Sequence, residues 1–226
     1  MEERSLKKEI SLFMATMLVC GNMIGSGVFM LPSTLAQVSG PGATIIAWII
    51  TTIGSILIAI SFANLGTKYP STGGAYQYTK EAFGDFAGFL SAWLYWNGSW
   101  IGNAAIIVAI TSYASAVIPA LSNPMISIIF SSAILWIFTI VNILSVKIAG
   151  KLQSFVTVFK IGFFALFIIV AFLNFDNVNI LPLFPEGKGL STVPLAATST
   201  LWAFIGLESA TVAAGEIKNP EKNIRK

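Results

Sequence analysis

The sequence predicts an all-α membrane protein of six transmembrane helices, the first and the sixth broken near mid-membrane. Three observations carry that expectation. Of 226 residues, 55% are hydrophobic and only 10% are charged, whereas a soluble domain carries about 25% charged residues. Six apolar stretches are each long enough to cross a hydrocarbon core of about 30 Å. The basic residues fall almost entirely on one side of those stretches.

The first stretch, near 11–36, follows a charged start with Arg4, Lys7 and Lys8, as a signal peptide would. It lacks a small-residue cleavage site and further spans follow, so it is expected to be retained. Its middle reads Gly21-Asn22-Met23-Ile24-Gly25-Ser26-Gly27, too rich in glycine for a plain anchor. Pro41-Gly42 opens the second stretch, 42–65, and Pro70 with Gly73-Gly74 marks the connection after it. The third, 84–118, is rich in aromatic residues and stops at Pro119. Asn123-Pro124 starts the fourth, 125–146, and Gly150 precedes the fifth, 152–174. Pro182 and Pro185 lie before the sixth, 192–215, which holds Trp202 through Glu208 and ends short of Asn219-Pro220. With no soluble domain, low-complexity tract or tandem repeat, residues 1–226 read as a single transmembrane domain.

Orientation follows from the loops. With the N-terminus inside, eleven of the 13 Lys and Arg residues lie on that side, Lys188 alone lies opposite, and Lys160 is within a span. Basic loops stay cytoplasmic, so both termini are expected in the cytoplasm, and six spans satisfy the parity. Histidine is absent and Cys20 is the lone cysteine, which excludes a histidine relay and an internal disulfide. No cofactor motif, metal-ligand cluster or nucleic-acid signal is present. A cation channel lacks its arginine-rich sensor and carbonyl filter here, and a membrane enzyme lacks a nucleophile paired with a base.

Broken helices at membrane depth persist only where the freed backbone faces protein or a wet cavity, and a pair of them points to a transporter's midplane site. At the first break, Gly25-Ser26-Gly27 lets the chain leave helical geometry at low steric cost. Amide hydrogens at the start of the next half-helix suit a carboxylate, while carbonyls of Met23 and Ile24 suit an ammonium. The alternative is close helix packing through Gly21 and Gly25. At the second break, Glu208 costs about 2.5–3.5 kcal/mol within a span on insertion scales, so it should face a cavity or a partner. Trp202, six residues earlier, is a candidate cover for a cationic ligand or an interfacial belt residue. Lys160 sits too deep to snorkel; it either couples transport to protons or ties helices together through carbonyls near the first break. In the third span Trp96, Trp100 and Asn103 share a helical face, Asn103 and Tyr95 being its functional candidates, with Gly98 and Gly102 admitting a close neighbour.

These motifs resemble the amino acid–polyamine–organocation transporters. The likeness rests on Gly21 through Phe29, on Pro70-Ser71-Thr72-Gly73-Gly74-Ala75-Tyr76, and on Phe204-Ile205-Gly206-Leu207-Glu208-Ser209 running to Lys218-Asn219-Pro220. Leu94-Tyr95-Trp96, Trp100 to Asn103 and Leu201 to Gly206 are most similar to the bacterial basic amino acid/polyamine antiporters, arginine/agmatine exchangers in particular. The resemblance implies a LeuT-like inverted-repeat fold, of which this chain holds the first repeat and helix 6, in a bacterial inner membrane. It implies that Ser26 and Gly27 hold a substrate carboxylate, with Gly25 in the same break. Carbonyls around Met23, Trp202 and Ile205 then receive the amino group. Asn22, Asn103, Ile106 and Trp202 contact the rest of the ligand, and Tyr95 and Glu208 act in gating or pH response. Ala203 and Ile106 depart from the exchangers, which carry a hydroxyl residue and a methionine there, and Lys160 instead resembles proton-coupled symporters. The expected partners are an amino acid or polyamine, protons where coupling uses them, the bilayer, and helices seven onward, supplied by a longer protein or a separate chain. The chain alone is therefore expected to be a truncated unit that does not transport, the alternatives being a proton-coupled symporter and a non-transporting membrane remnant.

Overall fold

The computed structural model describes residues 7–225 apart from Ser26. The expected roles of Ser26 and of the basic residue Arg4 lie outside the described residues. The first break is present. Helix α1 (Leu12–Met23) and α2 (Gly27–Val38) replace one continuous span, the Ser11 hydroxyl capping α1 by accepting from the Met14 amide at 3.3 Å. Helix α3 (Pro41–Lys68) begins on its proline, whose missing N–H costs nothing at a first helical position. After the turn at 70–74 comes α4 (Ala75–Phe83), then α5 (Asp85–Ser115). Helix α6 (Pro124–Leu144) starts under an Asn123 cap, and α7 (Val146–Leu173) under a Ser145 cap. The last span is fragmented into α8 (Val193–Leu201), a 3-10 turn at Trp202–Phe204, and α9 (Ser209–Val212), followed by α10 (Pro220–Asn223).

Among the described residues, four segments are long and apolar enough to cross a membrane: Leu12–Val38, Pro41–Lys68, Pro124–Leu144 and Val146–Leu173. Helix α5 has 31 residues, ample length, but Trp93, Tyr95, Trp96, Asn97, Trp100 and Asn103 dilute its apolar character. The outer faces are apolar: Leu57 is 61% exposed and Phe167 62%. Side chains of that kind, ranked along every long helix, suit a lipid solvent and not water.

The core is small and polar-studded. Helix α8 packs between α3 and α2, where Ala47 and Ala196 are fully buried beside Leu31 and Leu35. The Thr51 hydroxyl donates to Thr200 at 3.1 Å across that contact. Helix α1 lies along α7, close enough that a methyl on Gly21 would collide with Gln153 and Thr157. At one end of the molecule Ile10 and Ile217 pair as a parallel bridge, with Ile10 N–H donating to Glu216 O and Lys218 N–H to Ile10 O, each at 2.9 Å. At the opposite end Lys188, the isolated basic residue there, donates to Ala36 O at 2.6 Å and so caps the last turn of α2.

Helix α4 lies within what reads from sequence as a loop. It buries Tyr78 against Phe62 and Tyr69 and turns into α5 at Gly84, whose φ of +87° favours glycine. Lys80 meets Asp85 at 3.1 Å across the corner, and the hydrogen bond and charge of Asp85 raise Lys80 above the usual lysine value.

Candidate functional site

Both breaks are real gaps in helical geometry, and they touch. Helix α1 stops after Met23, and the Ile24 N–H turns back to Cys20 O at 2.9 Å. In the sixth span the chain becomes extended at Ile205 (φ −64°, ψ 132°) and passes through Gly206 at φ +110°. Only glycine holds that angle without strain. A Cβ placed on Gly206 would stand 2.9 Å from Asn22 Cβ, 3.0 Å from the Asn22 carbonyl carbon and 3.1 Å from the Met23 nitrogen. A Cβ on Gly27 would lie 3.2 Å from Trp202 Cδ1. Two segments far apart in sequence therefore share one layer, with bare backbone at the contact.

Side chains then complete the layer. Asn22 Nδ2 donates to Ser209 Oγ at 2.7 Å, joining the end of α1 to the start of α9. Glu208 Oε2 accepts from the Gly206 N–H at 3.1 Å, so the carboxylate folds back over its own break. Tyr95, from α5, faces Glu208. Lys160 Nζ donates to Gly21 O at 2.9 Å and Ile24 O at 2.7 Å. Those carbonyls belong to the open end of α1, where the helix dipole and the unsatisfied acceptors attract a cation. The helix-tying geometry expected for Lys160 is thus present. It changes one expectation: the Ile24 carbonyl, assigned to a ligand's ammonium, already holds the lysine's.

Two cavities, of about 920 and 830 Å³, meet at this layer, and both reach Asn22, Gly25, Tyr95, Ile106, Ile205 and Glu208. The first adds Ile24, Asn103 and Lys160; the second adds Met23, Gly27 and Trp202. Every site residue named from sequence lines one of them, Ser26 excepted as undescribed. Trp202 lines the second cavity and is 67% exposed. Gly98 and Gly102 behave differently from the expectation of close packing: a methyl added to either would meet nothing within 4 Å, and each borders both cavities. The Trp100 indole donates to Asn97 Oδ1 at 3.3 Å, and Trp100 lines neither cavity.

Sequence reasoning missed Ser209, Gln153 and Thr157. Thr157 is fully buried and donates to Met17 O at 3.1 Å, while Gln153 lines the larger cavity. Positions 153, 157 and 160 follow a four-then-three spacing on one face of α7, a polar stripe legible in the sequence. Ser209 closes the motif that begins at Phe204, but nothing in that motif gives its hydroxyl a partner.

Residues 10–226 match the family model for amino acid permeases. The chain belongs to the amino acid permease family. Among its relatives, the chain is 36% identical to a cadaverine/lysine antiporter of Escherichia coli, over 97% of its own length and 49% of that protein. It is 33% identical to an arginine/ornithine antiporter of Latilactobacillus sakei, covering 94% of this chain and 47% of the relative. With an arginine/ornithine antiporter of Pseudomonas aeruginosa it shares 33% identity, over 87% of this chain and 43% of the relative. The chain thus spans about half the length of the curated relatives it matches. Family and composition together make it a multi-pass membrane protein.

Proposed function

We propose that the chain forms the ligand-binding half of a secondary transporter that exchanges a basic amino acid for an amine by alternating access. Its residues 1–226 act as one transmembrane unit of six spans, the first repeat and helix 6 of a LeuT-like inverted-repeat fold, with both termini cytoplasmic. The observation that carries this reading is the contact of the two breaks at Gly206 and Asn22. It brings bare amides and carbonyls to one point beside a carboxylate, which suits a zwitterion carrying a second positive charge.

In this reading the amides at Ser26 and Gly27 take the ligand's carboxylate. The carbonyls of Met23, Trp202 and Ile205 take its α-ammonium, and Asn22, Asn103, Ile106 and Trp202 surround its body. Gly25 and Ile24 shape the break, Glu208 balances the far ammonium, and Tyr95 gates it. The names of the relatives, lysine with cadaverine and arginine with ornithine, support ligands of that charge. The test is a thermal-shift and binding screen of lysine, arginine, ornithine, cadaverine and neutral amino acids, with counterflow in liposomes for the complete locus product. Basic ligands are expected to bind, and Glu208→Gln to abolish the preference. Equal binding of neutral amino acids by both proteins would overturn the reading.

A proton-coupled symporter is the second reading, favoured by Lys160 on the carbonyls of Gly21 and Ile24. A lysine that loses its proton holds those acceptors less firmly, which would loosen α1 from α7. Uptake driven by an imposed pH gradient, abolished in Lys160→Met, would select this reading over antiport.

A further inference from the structure

We propose that Ser209 is a positioning residue for the ligand, its hydroxyl fixing the Asn22 amide so that Oδ1 is presented to the ligand's ammonium. The inference rests on the transport reading above. Asn22 lies in the last turn of α1, and its side chain is exposed where both cavities meet. An exposed primary amide can present either its oxygen or its nitrogen. Here Nδ2 is committed to Ser209 Oγ at 2.7 Å, and Ser209 is 7% exposed and held at the first position of α9. With one Nδ2 hydrogen engaged at Ser209, Oδ1 is the amide's free acceptor for a ligand. That orientation welcomes an N–H donor and disfavours a carboxylate.

The same bond fastens α1 to the 209–217 segment at the ligand end, and the Ile10–Ile217 bridge fastens them at the other. Ile10 is 6% exposed and Ile217 is fully buried, with Met14, Val146 and Ala213 packed around them. Losing the Ser209 hydroxyl leaves the Ile10–Ile217 bridge in place, so the pair stays assembled while the amide is released. The expected defect is in recognition, not in folding.

The experiment is calorimetric titration of the purified protein with cadaverine, which has no carboxylate, and with lysine. Ser209→Ala is expected to weaken both about tenfold, the scale of one hydrogen bond to a charged group, with an unchanged thermal midpoint in the absence of ligand. Ser209→Thr, which keeps a hydroxyl, should restore binding. Combined with Asn22→Ala, the Ser209→Ala change should add nothing further, since both act through one contact. Wild-type cadaverine affinity in Ser209→Ala, or multiplicative effects in the double variant, would overturn the proposal. Failure of either compound to bind the unaltered protein would instead overturn the transport reading itself.

Discussion

Replacing Gly206 by alanine perturbs the one place where both breaks meet. Two costs follow from the geometry. An L-residue at φ +110° is held outside its ordinary conformations, at about 1–3 kcal/mol. The new methyl also meets Asn22 Cβ at 2.9 Å and the backbone of Asn22 and Met23 at 3.0 and 3.1 Å. Backbone atoms cannot swing aside as a side-chain tip can, and overpacking of this kind costs about 1–3 kcal/mol more. Together the change should cost roughly 2–6 kcal/mol, or else push the two breaks apart. Thermal unfolding in detergent, followed by tryptophan fluorescence, reads the first outcome, and ligand titration reads the second. Gly54→Ala is the control, because a methyl there has nothing within 4 Å and gains about 1 kcal/mol of helix propensity. A Gly206→Ala protein with the wild-type midpoint and wild-type ligand affinity would refute the account of touching breaks.

Further outcomes follow from single contacts. Lys160→Met strips the ammonium from Gly21 O and Ile24 O and should cost about 1.5–3 kcal/mol per charged hydrogen bond lost; an unchanged unfolding midpoint would count against its capping role. Ser55→Ala should raise the midpoint, since the Ser55 hydroxyl is buried without a partner and such a group costs about 1–3 kcal/mol; a lowered midpoint would show that it has a bond in solution. Ile217→Ala empties a fully buried site at about 2–5 kcal/mol, and should make the Lys7–Lys8 bond more open to trypsin; unaltered proteolysis would argue against the Ile10–Ile217 bridge.

How much was legible depended on whether a feature was local. Gly21 to Gly27 and Trp202 to Glu208 announce broken helices through composition alone, and both break where expected. The apolar stretches predicted for α3 and α6 match the helices to within three residues, because proline and asparagine starts mark them. Helix α7 begins at Val146, six residues before the expected 152, because Lys147 and Lys151 extend it past the apolar run. Helix α4 was missed since only nine residues form it and its burial of Tyr78 depends on α3. Partnerships were the opaque part. Nothing in the sequence around Asn22 names Ser209, 187 residues away, and Gly98 and Gly102 look like packing glycines although they border open space.

The charges show why tertiary placement decides meaning. A lysine inside a span and a lysine on the sparsely charged side look unrelated, one costly and one incidental. In the fold they do the same work on the two halves of one broken helix. Lys160 meets the open carbonyls of α1, and Lys188 meets those of α2. Each half-helix ends in partial negative charge because its last carbonyls lack partners, so breaking a span doubles the number of ends needing a cation. An unbroken first span would need one such cap and no charge at mid-depth. The half-buried position of Lys160 therefore goes with the end of α1 at Met23, whose open carbonyls it meets.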